Sequence, residues 1–245
     1  MHVDALSVQL RPRLMTEAAD LGVRLVQAHA RSVYGSFLPV YAVVAVLALG
    51  TVELATWLPG LVIFWLKPWL DRSLLFALSR AVFGEPTRFS DLWQARRQVW
   101  GGQWFSTLTL RRLSPWRAYT QPMQQLEGQS GPARRARRLQ LLNGKRGAAL
   151  AMHGALAHVE AVLLAAFLAL CFWLTPPALR SQVYQWFTAS GSVPASLLMT
   201  VPYVLVVLLV EPFYVAAGFA MYLNRRVELE AWDIEQELRR ACAVG

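Results

Sequence analysis

Four long apolar runs dominate this sequence: Ser36 to Trp57, Leu58 to Phe83, Ala149 to Leu174 and Ala195 to Leu223. Each reaches or exceeds the roughly 20 residues that a helix needs to cross a hydrocarbon core about 30 Å thick. A water-soluble domain spreads its apolar residues at amphipathic spacing, whereas here they stand in blocks. With 56% hydrophobic and only 16% charged residues, lipid is the better solvent for this chain. The expected fold is all-α, a helical integral membrane protein with about four transmembrane helices and additional interfacial amphipathic helices.

The charges set the expected orientation. Of 24 Lys and Arg, 12 fall between Gly84 and Ala148, four lie in the first 34 residues and four follow Leu223, while Thr175 to Ala195 holds only Arg180. This asymmetry predicts a multi-pass protein of the bacterial inner membrane with both termini and the long basic loop in the cytoplasm. A net charge of +9 also fits nucleic acid, but the placement of the arginines among aromatics favours anionic lipid headgroups as partners instead. Cys171 in an apolar run and Cys242 in the charged tail do not suit a disulfide. The first apolar run begins only near Ser36, so no cleavable signal peptide is expected and that run serves as the insertion signal.

Five segments follow from these patterns. Residues 1–35 begin with an extended LSVQLRPR lead and continue as a helix capped by Thr16, with Leu21, Leu25, Ala28 and Ser32 on one face, lying on the membrane surface. Residues 36–83 hold the first two membrane segments; Glu53 sits near the outer headgroups, and Lys67-Pro68 is expected to break the second helix. Residues 84–148 form the cytoplasmic basic loop. Within it a helix is expected over Asp91 to Leu110, turns at Ser114-Pro115 and Gln121-Pro122, and a flexible connector at GQSGPARRARR. Residues 149–223 supply the last two membrane segments, with Pro212 freeing the carbonyl of Leu208. Residues 224–245 form a C-terminal cytoplasmic helix, its apolar face made by Leu223, Val227, Ala231, Ile234 and Leu238, that either docks under the bundle or binds a protein partner.

Several ionisable residues fall at membrane depth, where an uncompensated charge costs at least about 2.5 kcal/mol. Lys67, Asp71, Arg72, His158, Glu160 and Glu211 are therefore expected to form an intramembrane polar cluster, with Glu211 paired to Arg72 or Lys67 and His158 as a polar neighbour. Arg96, Arg97, Arg134, Arg135, Arg137 and Arg138 are the expected lipid-headgroup contacts. His158 and Glu160 are two residues apart and point in different directions on a helix, so they are no zinc motif. The chain carries no GxSxG elbow, phosphate-binding Gly-Lys-Ser/Thr loop or HExxH. No catalytic residue, metal or cofactor is expected.

The ordered motifs LSVQLRPR, WLKPWLDR, LSRAVFGE, RRLSPWRAY, QPMQQLEG, AHVE and EPFYVAAGFAMYLNRRVELEAWDIE together resemble an uncharacterised proteobacterial inner-membrane protein family often associated with MoxR-type AAA+ ATPase systems. The resemblance spans nearly the whole chain and implies a membrane component of an envelope-associated system, with no catalytic residues to transfer. The expected function is a non-enzymatic scaffold or assembly subunit. The competing expectation is a small transporter or lipid-handling protein with a polar site at the second and fourth helices. Either architecture accommodates an oligomer.

Overall fold

The computed structural model describes residues 12–101, 114–188 and 191–230, and every regular element among them is helical. The LSVQLRPR lead up to Arg11, the second half of the helix expected over 91–110 and the tail positions Ala231, Ile234 and Leu238 lie outside the described residues. Three helices are long and apolar enough to cross a membrane: Ala30–Glu53, Arg146–Leu174 and Val193–Glu230.

The organising pair is a long antiparallel helix hairpin. Helices α1 (Met15–Ala28) and α2 (Ala30–Gly50) are separated by His29 alone, and together they run back along α11 (Val193–Glu230). The register is pinned at three heights. Arg13 N–H donates to Asn224 Oδ1 at 2.9 Å while Asn224 Nδ2 returns a bond to the Arg13 carbonyl. Further along, Tyr34 and Tyr41 donate to the carbonyls of Leu209 and Val204 at 3.0 and 2.6 Å. Helix α11 continues unbroken past Pro202 and Pro212, and at 38 residues it is about 57 Å long.

Helix α1 packs one face along α11 and leaves the opposite face exposed. Its packed face is Ala18, Gly22, Leu25 and Val26, and a Cβ added at Gly22 would fall 2.3 Å from the Ala216 carbonyl oxygen. The run Val215-Ala216-Ala217-Gly218 keeps α11 thin enough for this crossing. Thr16 does not cap the helix, which starts one residue earlier after Leu14.

Helix α3 (Leu58–Ala81) is a single helix, so the break expected at Lys67-Pro68 is absent. Proline in a helix interior forfeits one backbone hydrogen bond at a cost of about 3 kcal/mol or more. Burial of Leu70, Leu74, Leu75 and Leu78 immediately after Pro68 favours continuation, and Gln121 and Gln125 side chains donate to the carbonyls of Pro68 and Arg72. The first half of α3 is different: Leu61, Phe64 and Trp65 are exposed.

The basic loop is folded. Helices α4 (Phe89–Gln94) and α5 (Arg96–Trp100) meet at Ala95, which divides the helix expected there. They pack on α2 and α3, with the Trp69 and Trp100 rings stacked at 5.2 Å and Trp100 Nε1 donating to Ser73 Oγ at 3.0 Å. Helices α6 (Arg117–Thr120) and α7 (Pro122–Gln125) reach inward to both α3 and α11; Pro122 opens α7 instead of only marking a turn. The basic connector is also ordered, as α8 (Gly131–Leu142), because Ala, Arg, Gln and Leu are strong helix formers and Leu141 and Leu142 anchor its end.

Helix α9 (Arg146–Leu174) leans on α11, and Ala149 is its only buried residue. Short helix α10 (Arg180–Thr188) then leads towards α11. The buried core thus concentrates at the basic end of the bundle, around Phe37, Leu74, Phe219 and Tyr222. The opposite half exposes an apolar belt that includes Val46, Trp57, Phe64, Val162, Trp173 and Leu205.

The Gly22 contact gives a direct test. Gly22→Ala should destabilise the detergent-solubilised protein by about 1–3 kcal/mol, the usual cost of overpacking, whereas Gly35→Ala, whose Cβ meets nothing within 4 Å, should leave thermal unfolding unchanged or slightly raised.

Candidate functional site

Five ionisable side chains from four separate elements converge where the apolar belt meets the packed core. Lys67 and Asp71 are one helical turn apart on α3 and therefore share a face. Lys67 Nζ lies 2.8 Å from Glu211 Oε2 on α11 and 2.7 Å from Glu160 Oε2 on α9. Arg117 enters from α6: its Nη2 donates to Glu211 Oε1 at 2.7 Å, and its Nε lies 2.9 Å from Asp71 Oδ2. The latter contact is ionic without an aligned hydrogen bond. The Arg117 guanidinium also sits 5.1 Å from the centre of the Tyr214 ring, and His153 Nδ1 is 3.1 Å from the Tyr214 hydroxyl.

Arg117 is placed by packing as much as by charge. Its neighbour Ala118 is seated against Gly218, where an added Cβ would fall 2.5 Å from the Ala118 side chain. Only a residue without a side chain at 218 lets α6 come this close. Two α11 residues one turn apart, Glu211 and Tyr214, then meet the guanidinium by ion pair and ring face.

Of the six residues expected to form the cluster, Lys67, Asp71, Glu160 and Glu211 meet. The cations that reach Glu211 are Lys67 and Arg117. Arg72 lies one residue further along α3, buried, with its carbonyl held by Gln125. His158 is exposed on another face of α9, and the histidine near the cluster is His153, five residues earlier. Arg117 carried no sequence signal as a membrane-depth residue, because it lies in the polar loop.

Above the ion network a cavity of about 450 Å³ opens between α3, α9 and α11. Its walls are apolar, formed by Phe64, Leu156, Ala157, Leu164 and Val210, and its floor carries Lys67, Arg117, Glu160 and Glu211. Ser114 and Pro115 line its end towards the loop. Because Phe64, Ala157 and Ala161 are exposed, it is a groove open to the side and not an enclosed void. Apolar walls with a few convergent polar groups are the usual make-up of a small-molecule site.

A second ionic network closes the basic end. Arg137 bonds both oxygens of Glu127 at 3.0 Å and also bonds Glu230, so this arginine of α8 is half-buried in ion pairs, unlike the exposed Arg96, Arg97, Arg135 and Arg138. Arg134 is half-buried. Lys145 and Arg225 grip Glu228 at 3.0 and 2.7 Å. Burial alone would raise the Glu228 carboxyl, but hydrogen bonds from Arg225 and Lys145 outweigh it and hold the group below the usual carboxylate range; Glu230 is lowered likewise by Arg226 and Arg137.

Compared with known proteins, the chain matches no family model, no curated protein sequence and no solved structure.

Two outcomes follow from this geometry. Arg117→Met leaves Asp71 and Glu211 facing each other at 0% and 2% exposure and should destabilise the protein by about 3–5 kcal/mol; Asp71→Asn added to it should recover part of the loss in thermal unfolding. Glu228 and Glu230 are depressed in the folded state, so their stabilisation is complete above the ordinary value of 4.5 and is lost as pH falls through the lower folded values. Protection of the Leu141-Leu142 end of α8 against hydrogen exchange, relative to the intrinsic rate at each pH, should fall on acidification below about 4.5, and the double variant Glu228→Gln, Glu230→Gln should remove most of that acid step.

Proposed function

We propose that this protein is a non-enzymatic integral membrane protein, with α3 as a fourth crossing helix beside the three apolar ones, that handles an amphiphilic molecule in the groove between α3, α9 and α11. The observation that carries this reading is the groove itself: an opening on the apolar belt with an ionic floor. Lipid covers the belt in this reading, so an acyl chain reaches the groove sideways without crossing water. Reaction chemistry is the poorer reading of the floor, because its acids and bases are spent on one another as ion pairs. The motif resemblance to proteobacterial inner-membrane proteins supports a location in that membrane, and the charge asymmetry supports a cytoplasmic basic end and cytoplasmic termini.

A scaffold reading is favoured by a different feature, the ion-locked basic end. There Arg96 stacks on Trp93 at 5.3 Å and Arg138 lies 6.0 Å from the Trp116 ring, pairs suited to a headgroup layer. In this role the basic end meets anionic lipid, and the segment after Glu230 meets a protein partner. The two readings are compatible in one molecule.

Photolabelling separates a groove occupant from general lipid contact. A phospholipid with a diazirine in its acyl chain, reconstituted with the full chain, should label peptides containing Phe64, Leu156 and Val210 in preference to those carrying only outward positions of α9 such as Leu170 and Trp173. Ala161→Trp, which narrows the groove, should lower the preferred labelling several-fold. Uniform labelling around the belt, unchanged by Ala161→Trp, would overturn the amphiphile reading.

A further inference from the structure

We propose that the groove and the arginines at its loop end form one site for an anionic phospholipid, with an acyl chain in the groove and the phosphate held by Arg138 and Arg146; this deepens the amphiphile reading and rests on it. The first ground is the state of the cations around the opening. Lys67 and Arg117 on the floor hold carboxylates, and so do the neighbours of the two rim arginines, Arg137 on Glu127 and Lys145 on Glu228. Arg138 and Arg146 are exposed and pair with no carboxylate among the described residues. The floor itself exerts no pull on a charged head. Asp71 and Glu211 are placed to share one proton, so this pair and Glu160 carry two negative charges against Lys67 and Arg117. Charge selection therefore falls to the rim.

The second ground is the continuity of rim and groove. Ser114 lines the groove, and its hydroxyl accepts a bond from Arg138 Nη2 at 3.4 Å. The Arg138 guanidinium lies 6.0 Å from the centre of the Trp116 ring, and Trp116 Nε1 donates to the Arg146 carbonyl at 3.2 Å. Arg146 opens α9, and the spacing of Arg146, His153, Ala157, Glu160 and Leu164 keeps all of them on one helix face. The last four of these line the groove. The face of α9 that forms the groove wall thus begins at an uncommitted arginine, beside the ring on which Arg138 rests.

The third ground is size and direction. From His153 to Leu164 the groove follows α9 for about 17 Å, close to half of a hydrocarbon core about 30 Å thick. Its volume of about 450 Å³ takes roughly fifteen groups of water size, which suits one acyl chain and not two. Its polar end adjoins the basic loop, and its apolar end, at Phe64 and Leu164, lies in the exposed belt. A phospholipid of the adjoining leaflet therefore enters with its phosphate at the rim and its tail in the belt. Guanidinium groups meet phosphate oxygens through charge-assisted hydrogen bonds. A head without phosphate offers them no acceptor of that strength, and a choline head brings a competing cation of its own.

Acyl-chain diazirine analogues of phosphatidylglycerol, phosphatidylcholine and diacylglycerol, each at the same low fraction in phosphatidylcholine nanodiscs holding the full chain, test the head. Labelling of peptides with Leu156 and Val210 should be roughly tenfold stronger for phosphatidylglycerol than for the other two, the scale of two arginines acting on an anionic lipid. The double variant Arg138→Gln, Arg146→Gln should remove that preference. Arg96→Gln, Arg97→Gln, which lowers the basic charge equally at positions that do not line the groove, should keep it. Equal groove labelling by the three lipids, or a preference lost in the second double variant and kept in the first, would overturn the proposal. Glycerol 3-phosphate in large excess should leave the labelling unchanged; displacement of the lipid would assign the rim to a free phosphate ester instead. If the three lipids label the groove equally and Ala161→Trp lowers that labelling, the amphiphile reading stands without the head assignment. If labelling is uniform around the belt and Ala161→Trp leaves it unchanged, both fall.

Discussion

The structure depends on one arginine being brought to two buried carboxylates. Asp71 and Glu211 lie on helices that pack face to face, and like charges in that position repel unless a cation stands between them. Arg117 supplies it from a loop segment, and the loop is drawn into the helix bundle as a result. The arrangement also explains the folding of the neighbouring short helices: once α6 is anchored, Gln121 and Gln125 reach α3 carbonyls and Met123 is buried. Polarity at this depth is thus an assembly device in which each group is acceptable only because the others are present.

Much of the architecture was legible in the hydrophobic blocks. The first, third and fourth runs correspond to helices long enough to cross a membrane, and their extent was readable because chain length in lipid is set by thickness. Lys67, Asp71, Glu160 and Glu211 were also legible as a group, since isolated charges in apolar runs demand company. Other features were misread for specific reasons. Pro68 looked like a break because local backbone preference was given more weight than the packing on either side of it. GPARRARR looked flexible because its charge was read in place of its helix propensity.

The partner of a buried charge was the least legible part. Arg117 is one of 12 cations between Gly84 and Ala148, and nothing in the order of residues distinguishes it from Arg96 or Arg138. What distinguishes it is Gly218, a hundred residues away, whose missing side chain admits Ala118. Likewise, whether His153 or His158 faces the bundle depends on the rotation of α9, and an apolar helix with one buried residue has little sequence asymmetry from which to deduce that rotation.

The ionic network has a consequence for the order in which this chain is completed. Lys67 and Asp71 are synthesised early and Arg117 next, but Glu211 belongs to the last long helix. Until α11 emerges, α3 carries three charged residues within two turns and has no acidic partner from α11 for its lysine. Glu160 and Asp71 precede α11 in the chain, so only the Glu211 contacts of the network wait for the last long helix. A chain that stopped before α11 would keep the Lys67–Glu160 and Arg117–Asp71 pairs but lack the one carboxylate that joins them, so the network is continuous only in the finished bundle.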